Sequence, residues 1–422
     1  MGYKICSRKT YESMVQEYNE ILNKGLNIDI RRGRPATEQL NLSKAMLKCK
    51  TTDFIAKGTN ADIRNYGLPK GLPEARQLFA DLLGYSVDNI FIGGNSSLNL
   101  MYEIVCNCLL RGVLGGERWL NSPKVKFLCP APGYDRHFRI TEDLGVEMIT
   151  IKMNADGPDM DTIEELVSTD PDIKGMWVVP QYSNPTGITF SDEVVKRMAN
   201  LKPAADNFRI FWDNSYCIHH LYEDDQDHVL DIVEECRKAG NPNMVYTFMS
   251  TSKVTFAGSG VAVIAASPEN IDFLAKQFDT ATIGYDKINQ MMHVEFLKNP
   301  ENIHKLMMQH AKIMRPKFDC VLKALKSGIC NSNVATWNSP KGGYFISVDV
   351  MPGCAARVVD MAAKAGVYFT NAGSTFPYGK DPQDSNIRLA PSAVSVQDLK
   401  VAMKVFCLCA NIAAYEKYAL KR

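Results

Sequence analysis

The chain has 422 residues, of which 45% are hydrophobic and 23% charged, and its formal net charge is +1. That length has room for two domains around a large buried core. So even a charge leaves no footprint for nucleic acid or an anionic membrane, and no apolar run reaches the roughly 20 residues of a membrane helix.

The N-terminal stretch MGYKICSRKTYESMV has no apolar signal core. Gly2 is followed by Cys6 where an acylation signal requires Ser or Thr. The C-terminal ALKR is no recognised address. The twelve cysteines form no C-x-x-C pair. Cys106/Cys108 and Cys407/Cys409 lie in apolar, helix-like stretches, and the set reads as reduced, buried thiols of a cytoplasmic protein rather than as metal ligands.

In chain order, Tyr11, Met14, Val15, Tyr18, Ile21 and Leu22 follow helical spacing, with Thr10 as the expected cap and Gly25 as the stop. IDIRRGRP follows as a loop carrying three arginines. Residues 72–83 read as a helix, DNIFIGG as a short strand and SLNLMYEIVCNCLLRGVL as a buried helix. Strand-like apolar runs then recur at KVKFLCP, VEMITIKM, KGMWVVP, FRIFWD, MVYTFMS and GVAVIAAS, most of them separated by helix-like segments. This alternation predicts an α/β domain with a mainly parallel sheet buried on both faces. Beyond Asn299 the pattern changes. A long helix over 302–328, strands near GGYFISVDV and VYFTNAG, and a final helix over 396–415 predict a smaller α+β domain. The expected division is 51–310 for the large domain and 311–422 for the small one, with 1–50 as a helix and loop joining the small domain. There is no internal repeat.

In an open α/β sheet, ligands sit at the carboxyl ends of the strands. Five loops expected on that edge carry Gly93-Gly94-Asn95-Ser96-Ser97, Ala131-Pro132-Gly133-Tyr134, Gln181-Tyr182-Ser183-Asn184-Pro185-Thr186-Gly187, Asp213-Asn214-Ser215-Tyr216 and Ser250-Thr251-Ser252-Lys253. Together they supply what pyridoxal 5'-phosphate (PLP) chemistry needs. Asn95, Ser96 and Ser97 combine hydroxyls with a helix N-terminus for a phosphate. Tyr134 offers an aromatic face. Asp213 suits a protonated pyridine nitrogen. Asn184 and Tyr216 can donate to a phenolate oxygen, and Lys253 is the candidate amine.

The ordered set Tyr66-Gly67, Asn184-Pro185-Thr186-Gly187, Asp213-x-x-Tyr216, Ser250-x-x-Lys253 and Arg388 resembles the fold-type I PLP-dependent aminotransferases of the aspartate aminotransferase superfamily, over roughly residues 60–395. Within it, RGRP, GGNSSLNLMYE, CPAPGYDRHF, PQYSNPTG, STSKVTFAGSG and AGSTFPYGKDPQDSNIRLAPS resemble a subgroup often labelled MocR-like aminotransferases, which includes aspartate aminotransferases. No winged-helix segment is expected in the stretch ahead of the core. The resemblance implies a seven-stranded, mainly parallel sheet in the large domain. It implies PLP held covalently on Lys253, with Asp213 paired to the ring nitrogen, Asn184 and Tyr216 on the ring oxygen, Tyr134 stacked on the ring, and Ser96, Ser97 and Ser250, with Ser252 beside them, at the phosphate. It also implies that Tyr66 reaches the phosphate of a neighbouring subunit, hence a homodimer with shared active sites, and that Arg388 takes the substrate α-carboxylate as a two-pronged pair. One departure stands out. The family places an arginine about eight residues after the lysine, whereas Lys253 is followed by Val-Thr-Phe-Ala-Gly-Ser-Gly-Val. Neutral donors at Ser259 or Gly260 are the expected substitutes.

Each residue also has a plainer reading. A lone lysine is a surface charge; Asn-Pro and Thr-Gly both favour turns; Asp213 suits a helix N-cap; Pro-Gly-Tyr describes a turn with a packed ring. Arg388 fits an exposed edge strand, and one of Ser96 and Ser97 fits a helix cap. The common order and spacing favour the site over these. Arg32 and Arg34 read first as solvated loop arginines and second as ligands for the distal carboxylate of aspartate or glutamate. His219-His220 reads as packing rather than metal ligation. The resemblance implies ping-pong amino transfer from aspartate to 2-oxoglutarate as the leading pair. A β-eliminating lyase and a non-catalytic sensor on the same fold are the alternatives.

Overall fold

The computed structural model describes residues 6–49 and 54–418, so Gly2 and the ALKR terminus lie outside the described residues. At its centre is one sheet whose strands lie in the order Ile90–Ile92, Ala262–Ala265, Val245–Ser250, Arg209–Asp213, Ile173–Val178, Lys126–Ala131, Glu147–Asn154 and Gly157–Pro158. The seven apolar runs supply the first seven of these. The eighth, two residues long, folds back antiparallel on the end of Glu147–Asn154 and is too short to leave a pattern in the sequence. From Val245–Ser250 across to Glu147–Asn154 every pairing is parallel. Ala262–Ala265 runs antiparallel to both its neighbours.

Ile173–Val178, Arg209–Asp213 and Val245–Ser250 are buried along their whole length, as parallel strands covered by helices on both faces must be. Side chains alternate across the sheet. Ile210 and Trp212 pack with Val195, Met198 and Ile232 on one side. Phe211 packs with Trp119, Phe127, Trp177 and Phe248 on the other, its ring centroid 4.7 Å from that of Trp177 and 5.7 Å from that of Phe127. The same alternation puts Asp213, the last residue of the strand, on the Phe211 side.

A second layer is built from the antiparallel strands Ala335–Trp337, Ile346–Val350 and Asn386–Leu389 with the helices Ala355–Lys364 and Val396–Tyr418. The first helix, Arg8–Leu22, packs onto this layer. Its cap is Ser7 rather than Thr10: the Ser7 hydroxyl accepts from the Thr10 backbone N–H at 3.1 Å. Tyr11 stacks on Tyr415 at 4.3 Å, and the Tyr18 hydroxyl donates to the Met361 carbonyl at 2.9 Å. IDIRRGRP is not loop throughout, because Ile28–Asp29 pairs in parallel with Val367–Tyr368. Two residues carry no readable periodicity.

The helix Pro300–Gly328 crosses the boundary expected at residue 310. Its first half packs Ile303, Leu306 and Met307 against Leu78 and Val254 beneath the large sheet. Its second half packs Met314, Phe318, Val321 and Leu325 into the layer around Ile346–Val350. One element thus serves both cores, and the helix runs on through Pro316, which lies near the change. The helices Pro268–Thr282 and Lys287–Leu297, neither of them among the expected elements, precede it. Among the described residues, no helix is long and apolar enough to cross a membrane.

Gly175 lies where the Phe127 ring crosses its strand; a Cβ there would stand 2.3 Å from a ring carbon. Gly175→Ala is expected to destabilise the fold by about 1–3 kcal/mol through overpacking, read as a lower urea midpoint with an unchanged slope.

Candidate active site

The carboxyl ends of four adjacent parallel strands converge on one cleft. Lys126–Ala131 leads to Tyr134, Ile173–Val178 to Asn184, Arg209–Asp213 to Asp213 and Tyr216, and Val245–Ser250 to Lys253. Tyr134, Asn184, Tyr216, Lys253 and Arg388 line a cavity of about 620 Å³. Asp213 is buried beside it.

The surroundings of Asp213 decide its charge. Burial alone pushes a carboxyl up. Here a hydrogen bond and charge from His137, a bond from the Ser215 hydroxyl and the nearby Lys253 outweigh burial and hold Asp213 below the ordinary carboxylate value. His137 Nε2 donates to Asp213 Oδ2 at 3.1 Å and Ser215 Oγ to Oδ1 at 2.5 Å. His137 sits in the helix Asp135–Asp143 and stacks on Trp177 at 4.6 Å and 11°. Trp177 Nε1 donates to Thr141 Oγ1, which donates to the His137 carbonyl. His137 lies within CPAPGYDRHF but is not among the residues expected at the site. Its position one helical turn after Tyr134, facing back to the sheet, is the signal that could have found it.

Lys253 has the opposite need. Burial pulls its amine below the ordinary lysine value, with Asp213 pulling the other way. Its Nζ lies 5.1 Å from the Tyr216 ring centroid and 5.8 Å from that of Tyr344. The loop that carries it is pinned on both sides. Thr251 Oγ1 accepts from the Val261 N–H at 2.8 Å and meets His293 Nε2 at 3.1 Å. The Val254 carbonyl accepts from Ser43 Oγ and His310 Nε2. Burial pushes the phenols of Tyr134 and Tyr216 up, so both stay protonated donors.

Arg388 comes from the strand Asn386–Leu389 and reaches the cleft from the opposite side. Its Nη1 donates to Asp135 Oδ1 at 2.6 Å and to Asn184 Oδ1 at 3.2 Å, and Phe345 lies against its face at 4.9 Å. Arg32 and Arg34 line the same cavity, joined by Arg136, which is not among the expected site residues. Arg31 is tied to Asp29. Among the described residues, no ion pair engages Arg32, Arg34 or Arg136.

Asn95, Ser250 and Ser252 meet at the N-terminus of the helix Ser97–Leu110. Ser250 Oγ donates to Ser252 Oγ at 3.2 Å, Ser252 Oγ to the Asn95 carbonyl at 3.3 Å, and Asn95 Nδ2 to the Gly258 carbonyl at 3.3 Å. Ser96 holds the N-cap position without a side-chain capping bond, so the plainer reading of a capping serine gains no support from it. The first-turn N–H groups therefore remain available to an anion. Ser259 is exposed in the turn Ala257–Ser259. Tyr66 is 79% exposed and lies outside the cavity lining.

The donor set fits PLP. The ionised Asp213 could pair with a pyridinium N–H, Lys253 could attach the aldehyde, the helix N-terminus with Asn95, Ser96, Ser97, Ser250 and Ser252 could cradle the phosphate, and Asn184 and Tyr216 could donate to the ring oxygen. This sheet order, with an acid and a weakly basic lysine at the ends of adjacent strands, defines a fold-type I PLP-dependent transferase. The chain belongs to the aspartate amino-transferase family, whose model matches residues 7–422, and it is an aminotransferase with PLP as its cofactor. It is 43% identical over 410 residues to an aspartate aminotransferase of Corynebacterium glutamicum, covering 97% of this chain and 94% of the relative. The crystal structure of an aspartate transaminase from that organism superposes with a TM-score of 0.94 at 43% identity, over 97% of this chain and 96% of the other. LysN, an α-aminoadipate aminotransferase of Thermus thermophilus complexed with N-(5'-phosphopyridoxyl)-L-leucine, shares the fold at a TM-score of 0.74 and 20% identity, over 96% of this chain and 98% of that one.

His137→Phe removes the donor from Asp213 Oδ2 and leaves burial opposed only by Ser215 and Lys253. The variant is expected to lose about 1–3 kcal/mol at pH 7, the cost of an unsatisfied buried acceptor, in urea unfolding. The pH dependence carries a sign. A depressed carboxyl contributes stability that is full above its unfolded value near ~3.9 and is lost as pH falls through the folded value. In His137→Phe the folded value rises, so unfolding on acidification begins at a higher pH than in the parent.

Proposed function

We propose that the cleft takes an amino acid with two carboxylates, aspartate foremost, and passes its amino group to 2-oxoglutarate in a ping-pong cycle. The observation that carries this reading is the charge of the cavity: a buried Arg388 at one wall and, along the lining, Arg32, Arg34 and Arg136, which no ion pair engages among the described residues, against the carboxylates of Asp29 and Asp135. Two carboxylates at opposite ends of a short substrate match that arrangement. The Corynebacterium glutamicum relative, named an aspartate aminotransferase, supports the same choice.

Bound PLP supplies an electron sink for the charge left when the substrate Cα loses its proton. The residues of the chain do the rest. The Lys253 amine, made less basic by burial, is the attachment point. As a free amine it would serve as the base that takes the substrate Cα proton. Asp213 keeps the proton on the ring nitrogen. Tyr134 would cover the ring face, Asn184 and Tyr216 would donate to the ring oxygen, and Asn95, Ser96, Ser97, Ser250, Ser252 and Ser259 would form the phosphate end. Arg388 grips the α-carboxylate, which argues against its loss and for transfer over decarboxylation. The rim arginines hold the distal carboxylate and help exclude substrates without one.

A homodimer with shared sites belongs to the same reading. Tyr66 and Ile283, 79% and 52% exposed, lie on neighbouring loops joined by the Gly67 N–H to Ile283 carbonyl bond. This apolar surface supports contact with a second copy, in which Tyr66 reaches the partner's phosphate. Twelve free thiols support a reducing, cytoplasmic setting.

Titrating the holoenzyme with amino acids while following cofactor absorbance tests the substrate choice. Aspartate and glutamate are expected to bleach the band at concentrations well below those needed for alanine. Equal response to all three would reject the dicarboxylate reading. Lys253→Ala is expected to abolish turnover and to leave no cofactor that borohydride can fix to the chain. Arg388→Ala is expected to weaken substrate binding by about 2–5 kcal/mol, the cost of truncating a buried charged pair, measured as the rise in apparent dissociation constant for aspartate.

A further inference from the structure

The Arg388 clamp is already partly occupied by the chain itself. A guanidinium Nη carries two N–H groups. Those of Nη1 have two acceptors, Asp135 Oδ1 at 2.6 Å and Asn184 Oδ1 at 3.2 Å. Nε is buried and has no hydrogen-bond partner. The Phe345 ring lies against one face of the group. A two-pronged carboxylate pair needs two parallel N–H bonds. With Nη1 engaged, the edge that can give them is Nε with Nη2.

Asp135 has an unusual place for an ordinary structural ion pair. It is the first residue of the helix Asp135–Asp143, directly after Tyr134, and it lines the cavity. Its side chain is 31% exposed while that of Arg388 is 6% exposed. The carboxylate therefore stands at the wetter side of a dry cation, in the same cavity. It supplies the counter-charge that a buried guanidinium needs in the absence of substrate. It also sets a like charge next to any carboxylate that arrives.

We propose that Asp135 is a positioning residue for the clamp: it ties Nη1 so that the Nε–Nη2 edge of Arg388 faces the substrate, and its charge weakens carboxylate binding. The two effects are separable because one needs an oxygen acceptor and the other a negative charge. Asp135 thus sets how firmly the site holds substrates and products, and favours release of the oxo acid in each half-cycle. The inference rests on the reading of Arg388 as the α-carboxylate ligand.

The test uses succinate, a four-carbon dicarboxylate with no amino group, titrated into the holoenzyme and followed by the shift in cofactor absorbance. Asp135→Asn keeps an oxygen acceptor and removes the charge, so succinate is expected to bind about tenfold more tightly, the scale of one like charge a few ångströms away. Asp135→Ala removes the anchor as well, so binding is expected to weaken relative to Asp135→Asn, and kcat for aspartate to fall where Asp135→Asn lowers KM. Unchanged or weaker succinate binding in Asp135→Asn overturns the proposal. Tightening in Asp135→Ala equal to that in Asp135→Asn overturns the positioning role. Arg388→Ala separates the two levels of the argument: if it leaves succinate affinity unchanged, the Arg388 reading itself fails. If it weakens binding while Asp135→Asn does nothing, only the role of Asp135 fails. Thermal melts of each variant identify any that is unfolded, and the isosteric Asp135→Asn keeps the test decisive.

Discussion

A carboxylate buried in the wall of a β-sheet would ordinarily take up a proton, because burial penalises the charged form. Asp213 stays ionised because His137 and Ser215 each give one of its oxygens a hydrogen bond. That pairing makes demands far from the two residues. The strand Arg209–Asp213 must end where the helix Asp135–Asp143 begins to cross the sheet. His137 must be held edge-on to the carboxylate, which the Trp177 stack and the Thr141 bridge accomplish. Trp177 is in turn fixed by Phe211 and Phe127. The aromatic packing of one sheet face and the electrostatics of the site are thus a single construction.

Around that anchor the ionisable groups are tuned apart. Asp213 is held charged, whereas burial moves Lys253 toward its neutral form. An acid that stays ionised beside an amine that gives up its proton readily is the combination that PLP chemistry exploits. The attraction between the two deepens the shift of Asp213 and limits that of Lys253. Arg388 and Asp135 repeat the theme across the cleft, where a buried cation leans on a half-exposed anion.

The cleft is completed from both ends of the chain. The arginine-bearing segment after Asp29 is tethered through the pairing of Ile28–Asp29 with Val367–Tyr368. Thr370 Oγ1 donates to the Arg31 carbonyl and Ser392 Oγ to the Arg34 carbonyl. Arg388 comes from the strand beside Ile346–Val350. Of the groups that would grip substrate carboxylates, Arg32, Arg34 and Arg388 therefore ride on the C-terminal layer, while Arg136, in the helix Asp135–Asp143, and the groups that would hold the cofactor ride on the large sheet. The helix Pro300–Gly328 is packed into both.

The sequence alone determined the seven strand segments, the long helix and the loops that carry Tyr134, Asn184, Asp213, Tyr216 and Lys253. Continuous apolar runs bounded by Gly, Pro and polar residues report burial on both faces, and burial is a property of the local chain. The strand at Ile28–Asp29, the edge strand Gly157–Pro158 and the cap at Ser7 escaped, because each rests on one or two residues and a partner elsewhere. His137, Asp135 and Arg136 escaped for a related reason. A histidine or an aspartate in a helix has no distinguishing local pattern, and its meaning depends on which distant side chain its face meets. Only the tertiary structure could bring Asp135 against Arg388, 253 residues away in the chain, or set Arg136 beside Arg32 and Arg34 around one cavity. Local periodicity encodes which side of an element is buried; it does not encode the partner, because hydrogen bonds and charges between remote segments exist only once the sheet has ordered them.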